Sequence, residues 1–236
     1  MRTMRPKIAA VLAAVVAIGL FAGTATAHDR SRQERRWWGG EKANLTLVHG
    51  IDGRGGFPVD VSVYRLAIGS TVYEDVTYGT VAGPIQTSAG IYRIALRTPD
   101  APRSTPILSK WIWLGPGGNK SVVAHLKADG SPTLSVYRND VSDSDAGARV
   151  TVRHNAAVGP VNVFANGTKV ISRLANPDQA ALDIPATTLN IEVKVAGGPK
   201  VFDADVAFAR NTNTVVYATL DRSGNFNPLL QVLPTA

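Results

Sequence analysis

The histidines are the first candidates for catalytic or metal-binding residues in this chain, because imidazole is the side chain that most often transfers protons or binds transition metals. The sequence has four of them: His28, His49, His125 and His154. His49 and His154 occupy equivalent places in two similar segments, but nothing in the sequence brings a carboxylate, a cysteine or a second histidine next to both. We therefore expect these two histidines to hydrogen-bond the loop backbone that follows each, and we predict no metal site.

Motifs that mark nucleophilic catalysis or phosphate binding are also missing. The chain has no cysteine, no Gly-x-Ser-x-Gly pattern and no Ser-x-x-Lys pattern. The glycine-rich segment Gly53–Gly56 resembles a phosphate-binding loop in composition only, since no helix pattern follows it. We predict that the protein is not an enzyme and needs no cofactor. A hydrolase whose catalytic residues are scattered over loops stays open as an alternative.

An oxygen-rich cluster near the middle of the chain could hold a cation between two domains. It comprises Asn139, Asp140, Asp143 and Asp145, and calcium prefers several oxygen ligands. The spacing differs from that of an EF-hand loop, which requires a glycine and a distal glutamate in register. We favour a solvated linker over a calcium site.

Two tryptophans separated by one residue are candidates for ligand binding. Trp111 and Trp113 lie on one face of a predicted strand, whereas Ile112 and Leu114 lie on the other. On an outer face the pair would form a flat platform for sugars or peptides, and on an inner face it would belong to the core. Because both faces are apolar, one of them should meet the other domain or a partner.

A segment rich in arginine and tryptophan is a second candidate. Arg35, Arg36, Trp37 and Trp38 could rest on an anionic surface such as teichoic acid or lipid headgroups, with the arginines on phosphates and the tryptophans at the interface. A merely solvated tail is the alternative. The segment has a period of neither 2 nor 3.6, so we predict a flexible lead-in over residues 28–42.

The chain begins with a pattern typical of secretory signal peptides. Three basic residues precede an apolar run from Ile8 to Gly23, and residues 25–27 form a cleavage site of the A-x-A type. The run is short for a bilayer span, which needs about 20 apolar residues. We therefore predict a signal peptide over residues 1–27, no transmembrane anchor after processing, and a secreted or envelope-associated protein.

Charge and cysteine content narrow the choice of partners. The formal net charge is +7, and removal of the predicted signal peptide leaves 22 basic and 18 acidic residues, a net charge of +4. This excess is too small and too dispersed to indicate nucleic acid as a partner. An exported protein without cysteine has no disulfide to stabilise it, which favours a bacterial origin. The sequence leaves the ligand and the oligomeric state open.

Alternation of apolar and polar residues predicts β-strands through most of the chain. Residues 43–49, 59–63 and 191–195 alternate with period 2 and are rich in β-branched side chains. No window shows a convincing helical stripe of ten residues, and Asn166-Gly167 predicts a tight hairpin turn. We predict an all-β protein with about seven strands in each half, arranged as two-sheet sandwiches of immunoglobulin-like or transthyretin-like shape.

The two halves of the chain are similar to each other. Three pairs of segments align: 43–49 with 148–154, 58–63 with 160–165, and 122–126 with 216–220. The polar segment 141–147 separates the halves. We therefore predict a β-sandwich domain over residues 43–140, a linker over 141–147 and a second β-sandwich domain over 148–236, each able to fold alone.

These segments also resemble a known family. Each half opens with a strand that ends in histidine, and a short loop and the sequence Pro-Val-Asp/Asn-Val follow. In the first half, Tyr78–Val81 then leads into a glycine-containing turn before Ile91–Ile94. The pattern is similar to that of the bacterial domain-of-unknown-function family numbered four-three-nine-seven, found in secreted and surface proteins, often as tandem copies. The resemblance implies an immunoglobulin-like β fold and an extracellular setting, without an activity or functional residues.

Together these features predict a secreted, non-enzymatic module that binds a cell-envelope polymer or a surface protein. A purely structural spacer of the envelope is the main alternative. An exposed face bearing Trp111 and Trp113 would favour binding over a spacer. A cleft that gathers His49 or His125 with carboxylates would favour the hydrolase.

Export can be tested on the protein itself. Because the predicted cleavage site ends at Ala27, N-terminal sequencing of protein recovered from culture supernatant should begin at His28. Recovery of the protein only as a full-length membrane species would contradict the prediction.

Overall fold

The structure is a computed structural model that describes residues 41–51, 58–99, 101–102 and 105–236. The predicted signal peptide lies outside these residues, as do Arg35, Arg36, Trp37 and Trp38 of the lead-in and the glycine-rich segment Gly53–Gly56. Within the described ranges, no helix is long and apolar enough to cross a membrane.

The described residues form sixteen β-strands and no α-helix, which confirms the all-β fold. Each half of the chain contributes eight strands, one more than the sequence indicated. The strands of the first half are β1 (Lys42–His49), β2 (Val59–Arg65), β3 (Gly69–Val76), β4 (Val81–Ser88), β5 (Gly90–Arg97), β6 (Leu108–Leu114), β7 (Asn119–Leu126) and β8 (Pro132–Arg138). Those of the second half are β9 (Gly147–His154), β10 (Val161–Ala165), β11 (Thr168–Leu174), β12 (Gln179–Pro185), β13 (Thr188–Val195), β14 (Lys200–Ala207), β15 (Thr212–Ala218) and β16 (Leu229–Pro234).

Both halves have the same topology. The first half forms the sheets β4-β1-β7-β8 and β3-β2-β5-β6, and the second forms β12-β9-β15-β16 and β11-β10-β13-β14. The orders coincide strand for strand, including the parallel pairs β1 with β7 and β9 with β15. Two sandwiches of identical strand order account for the internal sequence similarity and confirm the tandem β-sandwich architecture.

The hairpin turn indicated by the sequence joins β10 to β11. Asn166 and Gly167 are the only residues between these strands, and both have positive φ angles, 47° and 79°. Left-handed conformations at both central positions define the turn that suits the twist of a two-residue hairpin, and Asn followed by Gly adopts them at low steric cost.

Each sandwich encloses its own apolar core. Leu45, Ile94 and Leu114 belong to the core of the first domain, and Val161 and Val163 belong to that of the second. Side chains at alternate positions of a strand point to opposite faces of its sheet. The faces turned away from these cores are therefore free to meet water, a partner or the other domain.

A third apolar cluster fills the space between the domains. Val48 and Val123 of the first domain pack there with Val215 and Leu233 of the second. These side chains project from the faces of β4-β1-β7-β8 and β12-β9-β15-β16 that are turned away from the two cores. The four sheets therefore stack in the order β3-β2-β5-β6, β4-β1-β7-β8, β12-β9-β15-β16 and β11-β10-β13-β14, and every residue of β9 is buried.

A fully buried arginine stands in this interface. The guanidinium carbon of Arg153 lies 4.6 Å from the ring centroid of Tyr137 in the first domain and 5.3 Å from that of Tyr217 in the second. Burial lowers the pKa of Arg153, and its contacts with the two tyrosines oppose this effect. Since arginine stays protonated in proteins, a positive charge is enclosed between two aromatic rings.

Acceptors in both domains bind the N–H groups of this guanidinium. In the first domain, Arg153 Nη2 donates to Asn139 Oδ1 at 2.8 Å and to the carbonyl of Arg138 at 3.2 Å. In the second, Nη1 donates to the Tyr217 hydroxyl at 3.0 Å and Nε donates to Gln179 Oε1 at 3.0 Å. Within the described part of the chain, the ion pairs do not include Arg153.

The same polar network continues deeper into the interface. The Tyr217 hydroxyl donates to Gln231 Oε1 at 2.6 Å, and Gln231 Nε2 donates to Thr46 Oγ1 at 2.7 Å. The Ser121 hydroxyl donates to Asn139 Oδ1 at 3.0 Å. Buried polar groups are costly unless they are paired, so these bonds fix one relative position of the two domains.

Candidate functional site

An aromatic surface covers part of the outer face of the sheet β3-β2-β5-β6. Trp111 and Trp113 on β6 are 53% and 45% exposed, whereas Ile112 and Leu114 are buried in the first core. The sequence left open which face would be covered, and the structure turns the tryptophans outward. The second domain packs against the other sheet of this sandwich and leaves this face uncovered.

Strand pairing places three more side chains beside the tryptophans. Ile91 pairs with Trp113, Arg93 pairs with Trp111, and Tyr64 pairs with Arg93 from the other side. The rings of Tyr64 and Trp111 meet edge to face, with centroids 6.2 Å apart and an interplanar angle of 79°. We call these five residues, Tyr64, Ile91, Arg93, Trp111 and Trp113, the aromatic platform.

Arg93 gives the platform a positive charge among apolar rings. Its Nη2 donates to the Ser109 hydroxyl at 3.2 Å, and the residue is half-buried. A guanidinium in such a position can donate two parallel hydrogen bonds to a carboxylate or phosphate. The arrangement suits a ligand that combines a flat apolar face with an anionic group.

Two lysines hold the strand that carries the tryptophans. Lys110 Nζ donates to the carbonyl of Leu134 on β8 at 3.0 Å, and Lys120 Nζ donates to the carbonyl of Trp113 at 2.7 Å. β6 is an edge strand, and edge strands have one row of backbone groups without a sheet neighbour. The lysine bonds anchor β6 to the sheet below, so the platform has a rigid support.

One of the two histidines at equivalent positions hydrogen-bonds the loop that follows it, as the sequence predicted. His154 Nε2 lies 3.1 Å from the carbonyl oxygen of Gly159, and the amide of Ala156 donates to Nδ1 at 3.4 Å. Its equivalent, His49, is also buried at the end of the first strand of its domain. Neither imidazole reaches the surface, where a substrate would have to bind.

His125 is buried as well. Its Nδ1 donates to the carbonyl of Leu126 at 2.9 Å, since a carbonyl can only accept, and the Ser135 hydroxyl donates to Nε2 at 2.8 Å. Burial lowers the pKa of His125, and the Leu126 bond opposes this shift only in part. Burial likewise lowers the pKa of His154. Both rings are therefore neutral in the folded protein near pH 7.

The oxygen-rich cluster near the middle of the chain does not converge on one point. Asn139 is part of the buried Arg153 network, whereas the Asp140 carboxylate lies 3.0 Å from Arg149 Nη1. Among the residues that the structure describes, no group of three or more histidine or acidic side chains could hold a metal ion.

The segment 141–147 is anchored to the second domain. Arg149 Nη1 donates to the Ser142 carbonyl at 3.0 Å, and Arg149 Nε is paired with Asp183 at 2.8 Å. The Ser142 hydroxyl donates to Asp140 Oδ1 at 2.7 Å. One arginine of the second domain thus organises contacts of this segment, while four of its seven residues are exposed.

Comparison with known proteins identifies the family. The model of a family described as "Domain of unknown function (DUF4397)" matches residues 43–164. The chain belongs to this family. It is the same family that the sequence motifs of the two halves resemble, and the matched region runs through the first domain into β10 of the second. No curated protein matches the chain.

Two solved structures resemble the chain at low similarity. Each is described as a "putative cell adhesion protein", one from Bacteroides ovatus ATCC 8483 and one from Bacteroides eggerthii DSM 20697. The first has 9% sequence identity and a TM-score of 0.26, and the alignment covers 82% of this chain and 98% of that one. The second has 9% identity and a TM-score of 0.22, with 83% and 97% covered.

The buried interface network contains residues that the sequence analysis did not single out. Arg149, Thr151 and Arg153 alternate along β9 with Val150 and Val152, a pattern typical of a strand with one face in water. A signal was nevertheless present, because the equivalent strand of the first domain, β1, carries Val48 where β9 carries Arg153. That difference between the copies could have marked Arg153 as a residue of special function.

The buried neutral histidines predict that the protein loses stability in weak acid. A histidine in the unfolded chain has a pKa near 6.5, and the folded-state pKa of both His125 and His154 is lower. The unfolded state therefore binds protons first, so stability is complete above about pH 6.5 and decreases as the pH falls below it. The midpoint of urea unfolding should be lower at pH 5 than at pH 7.5.

Replacing one of these two histidines tests the assignment, and replacing a histidine outside the domains provides the control. His125→Gln should reduce the difference in midpoint between pH 5 and pH 7.5, whereas His28→Gln, outside the domains, should leave it unchanged. Equal midpoints at the two pH values in the wild-type protein would contradict the assignment.

Proposed function

We propose that the protein is an exported, non-enzymatic module of the bacterial cell envelope that binds an envelope polymer through the aromatic platform. The observation that carries this proposal is the exposure of Trp111 and Trp113 on a sheet face that neither a core nor the second domain covers. A spacer has no need for such a face, because exposed aromatic surface favours association.

The platform suits a polysaccharide with anionic groups. Residues two apart along a strand are separated by about 6.6 Å, so Trp111 and Trp113 present two rings in succession to an extended chain. Aromatic rings offer large flat apolar surfaces, which can cover the apolar faces of sugar rings. Arg93, whose strand lies between the strands of Tyr64 and Trp111, can bind a carboxylate or phosphate substituent of the same polymer.

The positions of the histidines support a non-enzymatic role. His49, His125 and His154 are buried within strands or strand ends, and a general base must come within hydrogen-bond distance of its substrate. The hydrolase alternative would require one of these rings at the surface. The lead-in residues Arg35, Arg36, Trp37 and Trp38 would add contacts to the same anionic envelope, because they precede the first domain directly.

Binding through the platform can be measured by co-sedimentation with isolated cell-envelope fractions. The variant Trp111→Ala/Trp113→Ala should weaken binding by tenfold or more, because aromatic residues at the centre of an interface commonly contribute more than about 1.4 kcal/mol each. Its melting temperature should stay close to the wild-type value, since both rings lie outside the core.

Val232→Ala is a matched control, because Val232 is an apolar residue of similar exposure, 44%, in the second domain. It should bind as the wild-type protein does. If the double tryptophan variant sediments with the envelope as well as the wild-type protein, the platform is not the binding surface. If neither the wild-type protein nor the double tryptophan variant sediments with the envelope, the spacer function takes precedence.

A further inference from the structure

The second domain contains an apolar cleft that the first domain lacks. A cavity of about 90 Å³ lies between the two sheets of the second sandwich, whereas the cavity between the sheets of the first is about 20 Å³. Twenty residues line the larger cavity, and all of them are alanine, valine, isoleucine, leucine, phenylalanine or proline. The lining thus carries no side-chain donor, acceptor or charge.

Two substitutions between equivalent positions explain why the second sandwich is open. In the first domain Tyr92 on β5 donates its hydroxyl to the carbonyl of Ser88 on β4 at 2.6 Å, which links the two sheets. Strand pairing and the internal alignment place Leu189 on β13 at the position of Tyr92. Leucine is smaller than tyrosine and has no hydroxyl, so the second domain loses both the link and the volume.

The second substitution removes a link at the opposite edge. Lys110, which pairs with Ile94 on β5, donates to the carbonyl of Leu134 and so connects β6 to β8. In the second domain Ala204 pairs with Ile191 at the equivalent place on β14. Alanine cannot span the gap to β16, and β14 and β16 approach each other less closely than β6 and β8 do.

Exposure of the inward-facing side chains agrees with this difference. Tyr92, Ile94 and Ile112 of the first domain are buried, whereas Leu189 and Ile191 at equivalent positions are only half-buried. Phe202, Val206 and Phe226 in the cleft are also half-buried. These residues face the inside of the sandwich and are nevertheless partly exposed to solvent. A thin ligand can therefore enter the cleft.

The chemistry of the cleft selects its occupant. A peptide would bring amide groups and a sugar would bring hydroxyl groups, and neither would find a hydrogen-bond partner among the lining side chains, so burying them would be unfavourable. A hydrocarbon chain carries neither kind of group, so no polar group is left unpaired when it is buried there. Apolar cavities of this kind stay dry and bind apolar molecules.

We propose that the second domain binds the terminal segment of the hydrocarbon chain of a fatty acid or lipid in this cleft, with the rest of the ligand, including its polar end, outside it. This site is separate from the aromatic platform and does not depend on the proposed polymer binding. The first domain, with the same topology but a closed core, does not bind such a chain.

The test is a fluorescence titration of the purified two-domain protein with the polyene fatty acid cis-parinaric acid. The wild-type protein should show saturable enhancement with one site per chain, and palmitate should displace the probe. Val216→Phe places a larger side chain in the cleft and should weaken probe binding by tenfold or more, without lowering the melting temperature markedly, because the cleft has room for the ring.

The matched control uses the equivalent residue of the closed domain. Val122, which pairs with Leu47 as Val216 pairs with Val152, is tightly packed, so Val122→Phe should lower the melting temperature but leave probe binding unchanged. Should Val216→Phe fail to fold, Ala204→Lys, which restores the lysine of the first domain, should weaken probe binding instead.

A second ligand distinguishes whether the bound hydrocarbon chain comes from a free fatty acid or from a phospholipid. Displacement of the probe by free palmitate identifies a fatty acid as sufficient, whereas displacement only by lysophosphatidylcholine below its critical micelle concentration identifies a phospholipid, and both outcomes support a hydrocarbon-chain site. Absence of saturable probe binding in the wild-type protein would overturn the proposal, and so would equal binding by the wild-type protein and a folded Val216→Phe variant.

Discussion

A positive charge buried between two β-sandwiches is the constraint on which the domain arrangement depends. The guanidinium of Arg153 is fully buried, and its contacts come from polar and aromatic groups of both domains. Removing such a charge from water is expensive unless every donor is satisfied. Because Arg153 belongs to the second domain, its bonds to Asn139 and to the Arg138 carbonyl of the first domain form in only one relative position of the domains. The interface is therefore specific as well as apolar.

This interface determines which surfaces remain for function. It covers one face of β4-β1-β7-β8 and one face of β12-β9-β15-β16, so the two outermost sheets of the stack are left to interact with other molecules. The first of these sheets carries Trp111 and Trp113 on its outer face. The second, whose Leu189 and Ala204 lack the cross-links of their counterparts, separates from its partner sheet and opens the cleft. The duplicated fold has thus acquired a different surface in each copy.

Local sequence patterns predict the fold because strand periodicity and turn chemistry are local. Alternation of side chains predicted the strands, and Asn166-Gly167 predicted a turn that the structure contains. Whether a polar strand face lies against water or against another domain depends on tertiary contacts, which a local pattern does not show. Arg153 alternates with valines as if it faced water, and only the tertiary arrangement shows that it faces Tyr137. The outward direction of Trp111 was undecided for the same reason, since both faces of β6 are apolar.

Differential scanning calorimetry of the two-domain protein tests the role of Arg153 most directly. The wild-type protein should unfold in one transition whose calorimetric and van't Hoff enthalpies agree, because two-state unfolding of the whole unit requires coupled domains. Arg153→Met, which removes the buried donors and leaves their partners unpaired, should lower the melting temperature and divide the transition in two. Arg138→Ala, at an exposed neighbouring position, should leave it single. Two independent transitions in the wild-type protein, or an unchanged single transition in Arg153→Met, would contradict the account.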